Sequence, residues 1–183
     1  WIIPETPAME DVVVCGAALV KDEARVTLWG VPDQPGVIHR IFAHVAEHNI
    51  VVDMIVQNVS KNGQTQVSFT VLRGDLHETL HVAREVAQEI GAGGVHHEDN
   101  VSKVSVVGVG MRTHSGVADR MFAALASEEI NIKMITTSEI KISVLVDRDR
   151  APDALRAVHR AFLLHEAPAS SSTERGSSGF TRK

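Results

Sequence analysis

The sequence lacks the features of a secreted or membrane-spanning protein. Only one of its 183 residues is a cysteine, Cys15, so the chain can form neither an internal disulfide nor a thiolate metal cage. The apolar run around Cys15 predicts a strand in which the thiol is buried as a small apolar residue. No stretch approaches the roughly 20 consecutive apolar residues that cross a bilayer, and no basic segment with a long apolar core opens the chain. A cytoplasmic location is therefore expected.

An excess of positive charge is also missing. The formal net charge is -5 and the isoelectric point lies near 6.0, which provides no general attraction for nucleic acid or for an anionic membrane. We expect neither as a partner. The chain is 44% hydrophobic and 22% charged, which is typical of a globular protein with one ordinary domain or two small ones. No Gly-rich phosphate loop followed by Lys and Ser or Thr is present, so no phosphotransfer site is predicted.

What the sequence does contain is an internal repeat. Residues 26–55 return as residues 104–135, with an apolar run, a Gly-containing loop, an amphipathic helix and a second apolar run in each copy. Gly36 aligns with Gly116 and Met54 with Met134, and the copies run between these points without a gap. Such a faithful repeat indicates two copies of one small domain.

Hydrophobic periodicity predicts the order β-α-β-β-α in both copies. The first copy is expected to contain a half-buried strand at 24–29, a helix at about 36–48, strands at 51–59 and 64–72, and a helix at about 76–90. The second is expected to contain a strand at 104–109, a helix at about 116–129, strands at 130–138 and 140–146, and a helix at about 152–164. Met54 and Met134 are interpreted as core residues of central strands.

A further apolar run at 12–19 precedes the first copy, and residues 21–23 are expected to form a polar turn after it. Both units match the ferredoxin-like split β-α-β pattern, in which helices cover one face of an antiparallel sheet. The additional run could complete the sheet of the second unit, which would make the first unit an insertion within the second. The predicted fold class is α+β, with two βαββαβ units in tandem.

The predicted domain boundaries follow from this pattern. The first unit covers 24–98, and the second covers 11–20 together with 101–166. Residues 1–10 form an N-terminal segment, and the polar residues 167–183 form a flexible tail because they cannot bury enough apolar surface to offset the entropy of ordering.

Four segments together resemble the regulatory half of aspartokinase (aspartate kinase), a tandem pair of ACT domains. They are residues 9–16, 23–36, 53–60 and 135–146. The resemblance implies a regulatory module of the enzyme that phosphorylates the side-chain carboxylate of aspartate, either the C-terminal part of a long chain or a separate β-type subunit. Trp1 in place of Met favours a cut fragment. The kinase domain is then expected to be missing, and with it ATP and Mg²⁺, so no cofactor is expected here.

The resemblance also implies an effector site where a strand passes through its loop into the first helix and meets another ACT unit. Residue chemistry agrees, because a helix N-terminus offers N–H groups to a carboxylate, Gly36 permits close approach and Asp33 can pair with an ammonium group. Threonine is the expected ligand. A tight turn without a ligand is the alternative interpretation of this loop. By resemblance, the site comprises Asp33, Gly36, Val37, Ile38, Gln57, Asn131 and Ile132.

A second effector site, which in this family would bind lysine, is expected at the equivalent place in the second copy. It lacks an acid aligned with Asp33, and Val51 stands where the second copy has Asn131, so the sequence departs from the family pattern here. The candidate residues are Asp53, Ser115, Gly116, Val117, Thr137, Ser138 and Glu139. Effector binding between units would produce feedback inhibition in lysine, threonine and methionine biosynthesis. A homodimer with a continued sheet is expected.

Two other functions are possible from the sequence. The module could be a generic amino-acid sensor attached to another enzyme. Alternatively, His77-Glu-Thr-Leu-His81 fits the H-E-x-x-H signature of zinc peptidases, in which two His ligate the metal and the Glu acts as base. Leu76 and Leu80 place both His at the edge of the helix, however, and His97 or Glu98 would be a weak third ligand. His96 and His97 are expected in a surface loop.

Overall fold

The computed structural model describes residues 14–58, 62–109 and 116–162. The strands are β1 (Val14–Pro32), β2 (Val52–Gln57), β3 (Gln64–Leu72), β4 (Gly94–Gly108), β5 (Met134–Thr137) and β6 (Lys141–Asp147). The helices are α1 (Val37–Glu47), α2 (Leu76–Glu89), α3 (Val117–Ser127) and α4 (Ala151–Ala161), with short 3-10 turns at Arg73–Asp75 and Arg148–Arg150. The predicted α+β class is confirmed. In the described part of the chain, no helix has the length and apolarity that a membrane span requires.

The two units share one antiparallel sheet with the strand order β2-β3-β1-β4-β6-β5. The two long central strands each serve both units. The C-terminal part of β1 pairs with β3 and with the start of β4, whereas its N-terminal part pairs with the end of β4, from Val14 opposite Gly108 to Val20 opposite Lys103. This is the pairing that an insertion of the first unit into the second requires.

The prediction of a polar turn at residues 21–23 is wrong, because β1 runs through this segment. Its register shifts on both sides of Glu23, so bulges absorb the irregularity without ending the strand. The polar groups find partners inside the sheet: the Ser102 hydroxyl donates to the Lys21 carbonyl at 2.7 Å, and Lys103 binds the Glu23 carboxylate. Local polarity predicted a turn because these partners lie about 80 residues away in the sequence.

Two further details differ from the predictions. His96 and His97 lie on β4, opposite Thr27 and Val26, rather than in a loop. Cys15 is exposed rather than buried. Alternation along the strand explains this, because the adjacent Val14 takes the core-facing position.

Each pair of helices covers one unit and encloses its own core. In the first unit, α1 and α2 bury Ile41 and Val86 against strand residues such as Phe69, and Phe42 contacts Phe69 edge-on with ring centroids 5.5 Å apart. In the second unit, α3 and α4 bury Met121 and other apolar residues against β4 and β6. Each fully buried aliphatic or aromatic side chain contributes about 1.5–3 kcal/mol of transfer free energy.

The sheet curls so that its edge strands β2 and β5 come into contact. Met54 on β2 and Met134 on β5 are buried, as predicted, but they lie on edge strands rather than central ones. They pack with Val101 and Leu145 in a third apolar cluster, separate from the helix-covered cores. We call this contact between β2, β5 and the sheet beneath them the seam.

Candidate effector-binding site

The seam has charged residues at both ends, and the first group contains Glu23, Asp53 and Lys103. The Lys103 Nζ atom lies 2.9 Å from Glu23 Oε1 and also contacts the carboxylate of Asp53. The side chains of Lys103 and Glu23 are only 10% and 2% exposed. Among the described residues, Glu23 Oε2 has no hydrogen-bond partner. We call this group the cavity end of the seam.

A cavity of about 270 Å³ opens at Asp53. Its polar lining combines three hydroxyl groups, one carboxylate and one ammonium group, and its volume lies just below the about 300–1,000 Å³ typical of small-molecule sites. These dimensions suit a ligand the size of an amino acid. The lining residues are Asp53, Met54, Ile55, Thr136, Thr137, Ser138 and Lys141.

The second charged group, the bridged end of the seam, contains Arg25, Glu98, Lys133 and Asp147. Glu98 bridges two cations, with Oε1 2.6 Å from Arg25 Nη2 and Oε2 3.2 Å from Lys133 Nζ. Lys133 Nζ also lies 2.8 Å from Asp147 Oδ1, and Arg25 donates to the Lys133 carbonyl at 3.1 Å. The hydrogen bond to Asp147, supported by Glu98, raises the pKa of Lys133, although burial opposes the shift.

The loop predicted to hold an amino acid leads into α1. Gly36 caps this helix with φ 87°, and Gly116 caps α3 in the same way with φ 107°. No heavy atom lies within 4 Å of where a Cβ would be at either glycine, so the left-handed backbone, not lack of space, calls for glycine. The equal geometry confirms that the repeat extends to both helix starts.

The start of α1 is suited to an anion. The Val37 amide donates to the Gln34 carbonyl at 3.3 Å, whereas the next N–H groups have no acceptor within a helix. In the described residues, no side chain caps α1 and its first turn holds no acid, whereas Asp119 lies in the first turn of α3. The positive end of the α1 dipole is therefore less neutralised by the chain itself.

Five residues of the first predicted site lie in the first unit, four of them at the start of α1 and Gln57 on β2, which β3 separates from β1. Asp33, Gly36, Val37 and Ile38 form the loop and helix start, where Val37 is buried and offers only its backbone. Gln57 ends β2 opposite Val67 of β3, and β3 also pairs with Pro32 just before Asp33. The two residues predicted from the second unit, Asn131 and Ile132, precede β5.

Asn131 and Ile132 directly precede Lys133 of the bridged end. Asn131 is exposed, while Ile132 packs against the second core. Their predicted contact with a ligand remains a prediction.

The second predicted site is brought together in part. Asp53, Thr137 and Ser138 line the same cavity. Glu139 is exposed in the turn between β5 and β6 and is not a lining residue. Gly116 and Val117 begin α3, with the Val117 side chain buried, and Ser115 lies outside the described residues.

Four residues important to this cavity were missed by sequence reasoning. Thr136 and Lys141 line it, Lys103 contacts Asp53, and Glu23 contacts Lys103. The sequence signal available for two of them was the presence of a charged residue, Glu23 or Lys103, next to apolar residues of a strand. This signal could not show that Glu23 and Lys103 pair, because their strands meet only in the folded sheet.

The H-E-x-x-H segment on α2 is not part of an assembled metal site in the described residues. His77 and His81 are exposed on α2, and His81 pairs with Glu85 at 3.6 Å. No group of three or more His, Cys, Asp or Glu that could hold a metal occurs in residues 14–58, 62–109 and 116–162. Glu98, one suggested third ligand, is bound by Arg25 and Lys133 instead.

Comparisons with known proteins place these units in a family. ACT domain families match residues 25–91 and 104–162. The solved structure of aspartokinase alpha and beta subunits is 51% identical, has a TM-score of 0.76, and is matched over 82% of this chain and 99% of that one. This chain belongs to the aspartokinase family. The resemblance inferred from the sequence is confirmed.

The chain corresponds to the regulatory part of this family. The regulatory subunit of aspartate kinase from Thermus thermophilus, in its ligand-free form, is 43% identical with a TM-score of 0.77, covering 82% of this chain and 99% of that one. The aspartate kinase of Stutzerimonas stutzeri is 48% identical over 94% of this chain but only 42% of its own length. The chain thus spans about 40% of the length of the curated relatives it matches, and it is a regulatory rather than a catalytic segment.

Proposed function

We propose that this chain is the amino-acid sensor of an aspartokinase, which binds an end product of the pathway and transmits the binding as feedback inhibition. The observation that carries the proposal is a cavity built by both ACT units, with Asp53 and Ile55 from the first and Thr136, Thr137 and Ser138 from the second. A ligand in this place contacts both units at once, as a sensor of their arrangement requires.

Threonine is the first-choice effector, at the loop that leads into α1, and lysine is the second, at the cavity beside Asp53. The loop at Asp33 offers a carboxylate for an ammonium group, and the start of α1 offers N–H groups for a carboxylate. Gln57, exposed at the end of β2, is placed to contact a small polar side chain. Each charged part of a threonine zwitterion therefore has a complementary group.

Ligand binding at the seam could be transmitted to a kinase through the arrangement of the two units. A ligand that prefers one arrangement of β2 against β5 shifts the population of that arrangement, by no more than its differential affinity for the two states. The expected partner is an aspartokinase catalytic domain or subunit, and the similarity to the solved alpha and beta subunits supports such a partner. The expected result is lower phosphorylation of aspartate, at the start of lysine, threonine and methionine biosynthesis, in the cytoplasm.

A homodimer is part of the proposal. Strands β2 and β5 are the edges of the sheet, and they carry the exposed apolar residues Ile55 and Ile135. An edge strand with apolar side chains favours pairing with another strand. Extension of the sheet into a second copy would cover both features.

Thermal unfolding of the 183-residue chain with and without threonine tests the proposal. We expect threonine to raise the melting temperature, because a ligand that binds only the folded state stabilises it. Asp33→Ala and Gln57→Ala should abolish the rise. Matched substitutions of exposed residues outside the site, Asp149→Ala and Gln88→Ala, should retain it.

A melting temperature that responds to neither threonine nor lysine would contradict the sensor function. If threonine still raises the melting temperature of both Asp33→Ala and Gln57→Ala, the sensor function is supported but the threonine site lies elsewhere in the chain.

A further inference from the structure

The two ends of the seam occupy equivalent positions of the repeat. Asp53 aligns with Lys133 in the ungapped part of the repeat, and Arg25 aligns with Lys103. At the cavity end, Lys103 contacts two carboxylates, whereas Arg25 at the bridged end donates to a backbone carbonyl as well as to a carboxylate. The bridged end therefore holds a piece of main chain in place, in addition to balancing charge.

The main chain that Arg25 contacts lies between α3 and β5. Strand β2 begins at Val52, but β5 begins only at Met134, two residues after Ile132, which is the repeat equivalent of Val52. In the described part of the chain, the N–H groups of Asn131 and Ile132 donate to no backbone carbonyl. This segment therefore lacks the strand pairing that fixes its counterpart in the first copy, and its N–H groups are available to a ligand.

Side chains of the first unit fix the end of this segment instead. Arg25 donates from Nη1 to the Lys133 carbonyl at 3.1 Å and from Nη2 to Glu98 at 2.6 Å. Glu98 in turn accepts from the Lys133 ammonium group at 3.2 Å, and the Lys133 N–H donates to the Leu145 carbonyl at 2.8 Å. The carbonyl, the N–H and the side chain of the residue directly after Ile132 are thus all held.

An arginine is suited to this double role. Its planar guanidinium group presents several N–H groups in a fixed geometry, so a carbonyl and a carboxylate are held in one relative arrangement. The side chains of Arg25 and Glu98 are 21% and 27% exposed, and partly buried charges are screened less by salt than exposed ones. These contacts are therefore expected to restrict the backbone before any ligand arrives.

We propose that Arg25 and Glu98 are positioning residues for the effector, which hold Asn131 and Ile132 of the second unit in the conformation that binds threonine. Neither side chain needs to touch the ligand. Apparent affinity falls in proportion to the population of the binding conformation, so a looser segment binds threonine more weakly. This inference rests on the proposed sensor function and on the contribution of Asn131 and Ile132 to its site.

Calorimetric titration of threonine into the 183-residue chain and its Arg25 variants tests the inference. For Arg25→Met we expect about a tenfold or larger loss of threonine affinity, which corresponds to a segment that occupies the binding conformation about a tenth of the time. Arg25→Lys keeps the charge beside Glu98 but lacks the guanidinium geometry. It should lose affinity about threefold, even if Arg25→Met fails to fold.

Arg148 provides a matched control. It also donates to a backbone carbonyl, that of Asp99 at 3.0 Å, and lies 3.5 Å from the Asp22 carboxylate, with its side chain 23% exposed. None of its contacts within the described residues involves residues 131–133. Arg148→Met and Arg148→Lys should therefore keep the threonine affinity within about twofold of the unchanged chain.

Backbone motion separates positioning from a general loss of stability. In the ligand-free chain, the NMR order parameters of the Asn131 and Ile132 amides should fall in Arg25→Met, from about 0.85 for a rigid backbone toward about 0.6. They should stay unchanged in Arg148→Met. A substitution that only lowers the free energy of unfolding would not loosen this segment selectively.

The outcomes are distinguishable from those for the proposed function. Equal threonine affinity in the unchanged chain, Arg25→Met and Arg25→Lys overturns the inference and leaves the sensor function in place. An equal loss of affinity in the Arg25 and Arg148 variants also overturns it, as do unchanged order parameters at Asn131 and Ile132 in Arg25→Met. A loss of affinity confined to the Arg25 variants, together with increased motion of the segment, supports it. Absence of binding to the unchanged chain contradicts the proposed function instead, and the order parameters then decide whether Arg25 holds the segment.

Discussion

The two ends of the seam show how one duplicated domain can diverge at equivalent positions. Arg25 and Lys103 keep the same sign of charge, but Asp53 and Lys133 have opposite signs. One end is consequently a balanced network of two cations and two acids, and the other is a shared lysine beside a cavity. The opposite charges of Asp53 and Lys133 thus accompany the difference between a balanced ion-pair network and a shared lysine beside a cavity.

The largest effect is expected from removing Lys103. Lys103→Ala leaves the buried Glu23 carboxylate without its cation, and breaking such a pair costs about 3–5 kcal/mol. Urea unfolding measures the loss. Glu23→Gln/Lys103→Met, which removes both charges, should recover most of the stability. A loss below about 1 kcal/mol for Lys103→Ala would show that the cavity end does not depend on this ion pair.

A smaller effect is expected at the bridged end. Glu98→Ala places Arg25 and Lys133 together without the bridging acid, which should cost about 2 kcal/mol because both cations lose a charge-assisted hydrogen bond. Chemical unfolding provides the value. Glu85→Ala, which removes an exposed pair with His81, should change stability by no more than about 0.5 kcal/mol. Equal effects of the two substitutions would contradict the structural role of Glu98.

The repeated helix starts should respond equally to substitution. Gly36→Ala and Gly116→Ala should each destabilise the chain by about 1–2 kcal/mol, because a Cβ disfavours their positive φ. Gly74→Ala, where a Cβ meets open space and no positive φ is needed, is the control. Thermal unfolding of the three variants measures the effects. A large difference between the destabilisations caused by Gly36→Ala and Gly116→Ala would contradict the structural equivalence of the two helix starts.

The smallest expected effect is a pH dependence at the bridged end. The pKa of Lys133 is raised above its ordinary value of 10.5 by Asp147 and Glu98, although burial opposes this. The stabilisation is therefore complete below about pH 10.5 and is lost as pH rises through the higher folded-state pKa. Lys133→Met should remove this contribution, about 0.5 kcal/mol, from the decrease in the free energy of unfolding at alkaline pH, as measured by urea unfolding across that pH range. If the variant and the unchanged chain lose the same stability at alkaline pH, other groups cause the loss.

Local patterns were sufficient to predict most of the fold. The helix over Val37–Glu47, the hairpin of β2 and β3 and the match of Gly36 with Gly116 follow from periodicity and turn residues. The continuous β1 did not follow, because Lys21 and Glu23 resemble a turn until β4 supplies their partners. The placement of Met54 and Met134 on edge strands also depended on the curl of the sheet.

The candidate site was predictable to a lesser degree. The repeat and the family resemblance predicted Asp53, Thr137 and Ser138 for a second effector site, and the structure places all three at one cavity. The pairing of Lys103 with both Glu23 and Asp53 was not predictable, since three separate strands must come together to form it. Long-range ion pairs leave no signal in local sequence patterns.

Calorimetric titration of threonine into the 183-residue chain tests the central claim most directly. We expect saturable binding that is lost in Asp33→Ala and retained in Asp149→Ala. The absence of binding heat with threonine and with lysine, over concentrations that reach millimolar, would contradict it.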